Sequence, residues 1–287
     1  MLTILFDGIA YGMLLFVLAV GLAVTMGLMN FINLAHGAFA MTGGYITVLL
    51  MQRLDVPFLA CLPIAFVGTA LLGAVLERTL YRPLYRKPHL DQVLFSIGLV
   101  FMAVAGVDYY VGSTQQIMQL PQWLKGRTEI GSLGMGHYRL FIIAVCAALT
   151  IVLQFVLART RFGSRLRASV DDQRVAAGMG INVNLVFLST FAFGSGLAGL
   201  GGALGAEVLG LDPSFPLKFM IYFLIVVAVG GTSSITGPLL AALMLGVADV
   251  AGKYYIPKMG AFIVYSLMIA ILLWRPNGLF VRQGGKA

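Results

Sequence analysis

The sequence predicts an all-α, polytopic transmembrane helical bundle of about nine spans, with eight to ten as the range. Three observations carry this. Only 10% of the 287 residues are charged while 60% are hydrophobic, at a mean hydropathy of +0.95. A soluble domain carries about 25% charged residues, so this chain could not cover its own surface in water. The apolar residues also arrive in blocks of about 20, the length that crosses roughly 30 Å of hydrocarbon. Finally, the 35 glycines are spread through those blocks rather than gathered in linkers. In lipid, small residues let helices approach where no hydrophobic drive brings them together.

Taken in order, the blocks fall at residues 4–28, 34–52, 58–76, 92–112, 138–158, 185–206, 217–230, 237–252 and 259–274. The first begins without a basic n-region or a small-residue cleavage site and reads as a retained span. The blocks at 217–230 and 237–252 are short, which suits tilted, broken or re-entrant segments. The whole chain, 1–287, reads as one transmembrane domain, with a cytoplasmic segment at about 159–184 and an external loop at about 113–137. Cys61 and Cys146 sit inside apolar blocks and read as small core residues.

Basic residues in the connectors set the orientation. Residues 77–91 carry Arg78, Arg82, Arg86 and Lys87, and residues 159–174 carry Arg159, Arg161, Arg165, Arg167 and Arg174. With the tail residues Arg275, Arg282 and Lys286 they share one side, giving an external N-terminus and a cytoplasmic C-terminus. The cytoplasmic segments then hold 12 basic and 4 acidic residues and the external ones 7 of each, so the net charge of +8 faces the cytoplasm. The high pI is thus a topology signal acting at the lipid surface, not a nucleic-acid footprint. A short echo between residues 27–46 and 230–247 suggests an internal repeat, each stretch passing through polar or small residues to Gly37 or Gly237 before an outward span.

No Asp, Glu, Lys or Arg falls clearly at a span centre; Asp108 and Asp249 come nearest, each in the outer turn of its span. Proton- or voltage-coupled machines need such charges, so energy for any transport is expected from another chain. The spelling Gly194-Ser195-Gly196-Leu197-Ala198-Gly199 fits a dinucleotide fingerprint but lacks the strand and βαβ unit that it requires. Gly194, Ala198, Gly202 and Ala206 instead form a stripe for close packing, and the span could bend or unwind at Gly201-Gly202. Ser195 has no base within reach, and the three histidines are too scattered for a metal, so neither catalysis nor a bound cofactor is expected.

Three groups of residues could carry function. Asn30, Asn33 and His36, ahead of Gly37, interrupt an apolar stretch and could satisfy a backbone turning within the membrane. With Gly230, Gly231 and Gly237 they are the candidates for a turn or pathway mouth. Residues 160–183 read as a polar helix from Ser164 onward, broken at Gly178 and Gly180, on which Leu166, Val170, Val175, Ala176 and Met179 could form an apolar patch for a cytoplasmic partner. Trp123, Glu207 and Asp212 are external candidates for docking a further partner.

These features resemble the H-type permease subunit of branched-chain amino-acid ABC importers, a family that includes permeases for urea and short amides. The likeness runs nearly end to end. Its most specific pieces are Ile32-Asn33-Leu34-Ala35-His36-Gly37, the 163–182 loop, Gly230-Gly231 with Gly237-Pro238, and Trp274-Arg275-Pro276-Asn277-Gly278-Leu279-Phe280. The resemblance implies a bacterial inner-membrane subunit paired with an M-type permease or a second copy of itself. Two cytoplasmic ATPase subunits, carrying ATP and Mg, and a periplasmic binding protein would complete the assembly. Gly163, Arg165, Arg167, Asp171, Asp172, Ala176, Ala177 and Gly180 would then belong to the ATPase-coupling segment. It departs from the general importer motif in having Val175 where a Glu leads. A urea or short-amide permease, or a self-sufficient channel for a small neutral solute, is the alternative expectation.

Overall fold

In the computed structural model, residues 1–29, 31–130, 133–231, 234–275 and 278–279 are described. Eleven α-helices dominate them: α1 (Leu2–Met29), α2 (His36–Leu54), α3 (Phe58–Leu76), α4 (His89–Val111), α5 (His137–Arg159), α6 (Arg161–Asp171), α7 (Gln173–Gly178), α8 (Val183–Leu209), α9 (Phe215–Gly230), α10 (Thr236–Tyr255) and α11 (Gly260–Trp274). A helix coincides with each of the nine expected blocks. Six segments are long and apolar enough to cross a membrane: Leu2–Gly27, Phe58–Tyr85, His89–Val111, His137–Arg159, Val183–Leu209 and Thr236–Tyr255. Helices α9 and α11 are apolar but only 16 and 15 residues long, and α2 is diluted by Thr, Gly, Gln52 and Arg53.

The helical architecture holds as expected, with one short hairpin beside it. Residues 127–130 (β1) and 133–136 (β2) pair antiparallel, Arg127 opposite Gly136, within the long loop before α5. In β2, Leu133 and Met135 alternate with Gly134 and Gly136 at the two-residue period of a strand.

Helix ends follow local chemistry. Asp55 (φ 50°) closes α2 in a left-handed turn and Pro57 then opens α3. Gly231 (φ 78°) terminates α9 in a conformation that costs glycine little. The connector after α3, expected as a basic loop, instead continues as a π turn (Glu77–Tyr81) and a 3₁₀ turn (Arg82–Arg86). Tyr81 explains this. Its ring is fully buried against Phe31, Phe95 and Phe191, at centroid distances of 5.4, 5.4 and 4.6 Å.

Helix α8 is the hub, packing on α1, α2 and α3. A Cβ on Gly202 would lie 1.8 Å from the Ala40 carbonyl oxygen, and one on Gly43 would lie 2.1 Å from that of Gly199. Backbones touch here, as the small-residue stripe implies. The helix runs unbroken through Gly201-Gly202, so it does not unwind there, and both glycines pack closely on neighbouring helices.

Candidate pathway, coupling and docking sites

The turn before α2 lies inside the bundle. His36, 2% exposed, donates from Nε2 to the Leu18 carbonyl at 2.9 Å. Leu18 stands eleven residues before α1 ends, about 16 Å of helix. Residues 31–33 therefore run back beside the last turns of α1 as non-helical chain and turn at Leu34-Ala35 into α2. Non-helical backbone at such a place must find partners within the protein. Asn33 Oδ1 accepts from Ala35 N and from the Tyr81 hydroxyl, both at 3.1 Å. The amides of Ile32 and Leu34 are met from α4, by Gln92 Oε1 at 3.3 Å and Ser96 Oγ at 3.2 Å. Gln92 also donates to the Leu84 and Lys87 carbonyls, tying the turn to the α3–α4 connector.

Asn33 and His36 thus meet in one buried network, while Asn30 lies outside the described residues. Gly37 rests on Pro216, where a Cβ would come within 3.0 Å of its Cα. Gly230 is pressed on the Gly237–Pro238 peptide, with only 2.4 Å between an added Cβ and the Pro238 nitrogen. These glycines serve contact between backbones at the joints of α2, α9 and α10. Sequence reasoning missed Gln92, Ser96 and Tyr81. A glutamine and a serine one helical face apart at the start of an apolar span were the available signal.

The 159–184 segment forms two helices rather than one. Helix α6 starts at Arg161 and stops at Asp172, whose carboxylate accepts from the amides of Arg174 and Val175 at 2.8 and 3.0 Å and so caps α7. Gly178 ends α7 and Gly180 turns with φ 81°. The expected apolar patch is divided. Leu166 and Ala176 are buried toward the bundle, whereas Val175 and Met179 are 63% and 79% exposed. The break at Asp172 reorients α7, so residues that would share one long helix face turn apart. Arg165, Asp171 and Ala177 are exposed. Gly163 and Arg167 hold the segment to α5: a Gly163 Cβ would lie 2.1 Å from the Leu157 carbonyl oxygen, and Arg167 Nη1 donates to that oxygen. Between α6, α1, α5 and the start of α10 is a cavity of about 340 Å³ lined by Val24, Gln154, Leu166, Arg167 and Thr236.

At the opposite end, Trp123 stacks edge-on against Phe141 at 5.9 Å and lines a cavity of about 540 Å³ with Gln52 and Asp55. Glu207 lines a second, of about 490 Å³, with His137 and Arg139; Lys125 borders both. Asp212 lies apart from either cavity. Its carboxylate accepts from Ser214 N at 2.8 Å and pairs with Lys218. Burial pushes this carboxyl up, but the Lys218 ammonium and the two Ser214 bonds outweigh it and hold it below the usual range.

A helical bundle with six bilayer-length segments among its described residues is a multi-pass membrane protein. The chain belongs to the branched-chain amino acid transport system permease component family, which matches residues 4–272. It is 28% identical to the high-affinity branched-chain amino acid transport system permease protein BraD of Pseudomonas aeruginosa, over 97% of this chain and 95% of that one. A probable branched-chain amino acid transport permease protein, LivH of Methanocaldococcus jannaschii, is 29% identical over 96% and 91%. The Escherichia coli permease protein LivM is 26% identical over 93% of this chain and 68% of its own length. No solved structure matches the chain at a significant level.

Proposed function

We propose that this chain is a permease subunit of an ATP-driven importer, forming part of the path for branched-chain amino acids across a bacterial inner membrane. The observation that carries this reading is the family match over nearly the whole chain, to relatives named as high-affinity permeases for these solutes. In this reading nine helices cross the bilayer (α1–α5 and α8–α11), with the N-terminus outside and the basic 159–184 segment in the cytoplasm. The additional likeness to LivM favours a heterologous pair in which a related M-type chain is the second permease. Two ATPase subunits supply the energy, and a solute-binding protein delivers at the end that holds Trp123 and Glu207.

The mechanism follows from how the 159–184 segment is mounted. An ATPase that grips the exposed Ala177 and Met179 pulls on α6, which is pinned to α5 through Leu157 and lies beside α1 and α10. Nucleotide binding then shifts the helix ends that border the cytoplasmic cavity, and the pair alternates between inward- and outward-open states. Pull-down of tagged chain from native membranes in mild detergent tests this. Wild type should bring ATPase subunits, and Ala177→Arg with Met179→Glu should lose them at unchanged expression. Arg167 is unsuitable for the test, because its bond to α5 makes it structural. If no ATPase accompanies the wild type, the importer reading fails and a self-sufficient channel takes its place.

A further inference from the structure

We infer that the cavity enclosed by α1, α5, α8, α9 and α10 is a solute site for an aliphatic amino acid in its zwitterionic form. The inference rests on the importer reading and adds to it where, and by which groups, the solute is held. The cavity measures about 300 Å³, at the lower end of the range for small-molecule sites. Two oppositely charged pairs line it: Asp7 with Arg139, and Asp249 with Lys253. The four residues come from three helices far apart in sequence, α1, α5 and α10.

The two pairs are not equally complete. Asp249 is 1% exposed and uses both oxygens, one on Lys253 Nζ at 2.5 Å and the other accepting from the Tyr222 hydroxyl at 3.5 Å. Asp7 gives one oxygen to Arg139, and its other, Oδ1, is buried without a hydrogen-bond partner. A buried carboxylate oxygen left bare costs free energy unless a donor arrives. Arg139 and Lys253 each retain donors beyond the one their carboxylate takes, and their side chains are 44% and 55% exposed. The cavity wall therefore holds one acceptor lacking a proton donor, reached when the Asp7 carboxylate turns toward the cavity, and two cations with donors to spare. An α-ammonium fits the first and an α-carboxylate the second. Ala10, Leu14, Ile142 and Phe219 form an apolar wall beside these charges, suited to an aliphatic side chain. Charge at one side and hydrocarbon at the other match leucine, isoleucine or valine, and match poorly a solute lacking either charge.

A phosphatidylethanolamine headgroup shares the ammonium-and-anion chemistry, so the test separates the two sources. The protein is purified from native membranes with its accompanying subunits, without the solute-binding protein, into phosphatidylglycerol nanodiscs with or without phosphatidylethanolamine. Tritiated leucine should bind saturably in both. Isoamylamine and isocaproate, each lacking one charge, should displace it at least about tenfold less well than isoleucine. Asp7→Asn, Arg139→Gln and Lys253→Gln should each weaken leucine binding at least about tenfold with unchanged elution and thermal stability. Because Asp7→Asn could disturb the fold, the exposed Arg139 and Lys253 keep the test decisive. Unchanged affinity in both of those variants would overturn the site, leaving the pairs as clamps between helices. Absence of leucine binding to wild type, with phosphatidylethanolamine retained by wild type and lost from Arg139→Gln, would overturn it in favour of a lipid. Leucine uptake by cells separates the two readings. If uptake is ATP-dependent and lost on deleting the chain, the importer stands even where the site fails. Uptake untouched by deletion removes the importer of leucine itself.

Discussion

Helices α4 and α8 are both long, apolar and glycine-containing, yet they occupy opposite situations. In α8, Gly194, Gly199 and Gly202 each meet a neighbouring helix, with a Gly202 Cβ only 1.8 Å from backbone. In α4, a Cβ on Gly98 or Gly106 would meet nothing within 4 Å, and Phe101 and Met102 are 56% and 72% exposed. Apolarity says only that both belong in a bilayer. What separates hub from periphery is whether small residues let backbones touch. The α4 face that makes so few contacts is available to lipid or to a second permease subunit.

The largest expected effect breaks this comparison directly. Gly202→Leu must drive α8 away from α2, because the obstacle is the Ala40 carbonyl and not a side chain that can swing aside. The cost should reach or exceed the upper end of the roughly 1–3 kcal/mol usual for overpacking. Fluorescence-detected size exclusion should show loss of the monodisperse peak. Gly98→Leu on α4 should leave that peak in place. Similar behaviour of the two variants would mean that α4 is packed in the assembled protein, sharpening the question of what covers it.

A smaller effect is expected where α4 does engage the bundle. Gln92 is 2% exposed and serves three backbone groups; Gln92→Ala leaves the Ile32 amide and the Lys87 carbonyl without this partner, while the Leu84 carbonyl keeps Lys87 N at 3.0 Å. Each buried orphan costs about 1–3 kcal/mol where water cannot replace the lost bond. Ser96→Ala removes one such bond, to Leu34 N, and should cost less. Thermal melts of the two variants in the same detergent give the ranking. The reverse order would show that the single Ser96 bond to Leu34 N holds the turn more firmly than the Gln92 bonds.

The residues that needed no structure were those whose signal lies within one helix. The α8 stripe follows from spacing by four, and the helix positions follow from hydropathy. Asn33 and His36 stood out because polar groups interrupting an apolar block demand a partner. Their partners were hidden: Gln92 and Ser96 lie about sixty residues away, and nothing local marks them as facing Ile32 and Leu34. The charged cavity was invisible for the same reason: Asp249 read as a residue in the outer turn of its span, and nothing local marks Asp7, Arg139 and Lys253 as its neighbours. The division of the 159–184 helix was legible in principle. Asp172 is a preferred N-cap residue type, but the sequence is equally compatible with one continuous helix. The hairpin had the Gly131-Ser132 pair between two short runs as its signal, outweighed by the helical character of the rest.

The smallest expected effect concerns the joint between α8 and α9, where charge holds the chain in place of close packing. Asp212 binds Ser214 and Lys218, and the neighbouring Leu211 carbonyl accepts from Gln116 N at 2.7 Å, joining this turn to the long loop before α5. Because the folded carboxyl is held below its ordinary value of 3.8, folding favours its ionised form. Its contribution is fully present above that ordinary value and is lost as pH falls through the lower, folded one. Stability measured between pH 7 and 5 should therefore be insensitive to this group and should weaken only below about pH 4. Asp212→Asn should lower the melting temperature slightly at neutral pH and flatten that acid limb. Lys218 is more than half exposed, so solvent screens the pair and the effect should be modest. An acid limb unchanged by Asp212→Asn would move the pH dependence to other carboxylates. The joint would then be held, as in the α8 hub, by packing of Leu211 and Phe215, both fully buried.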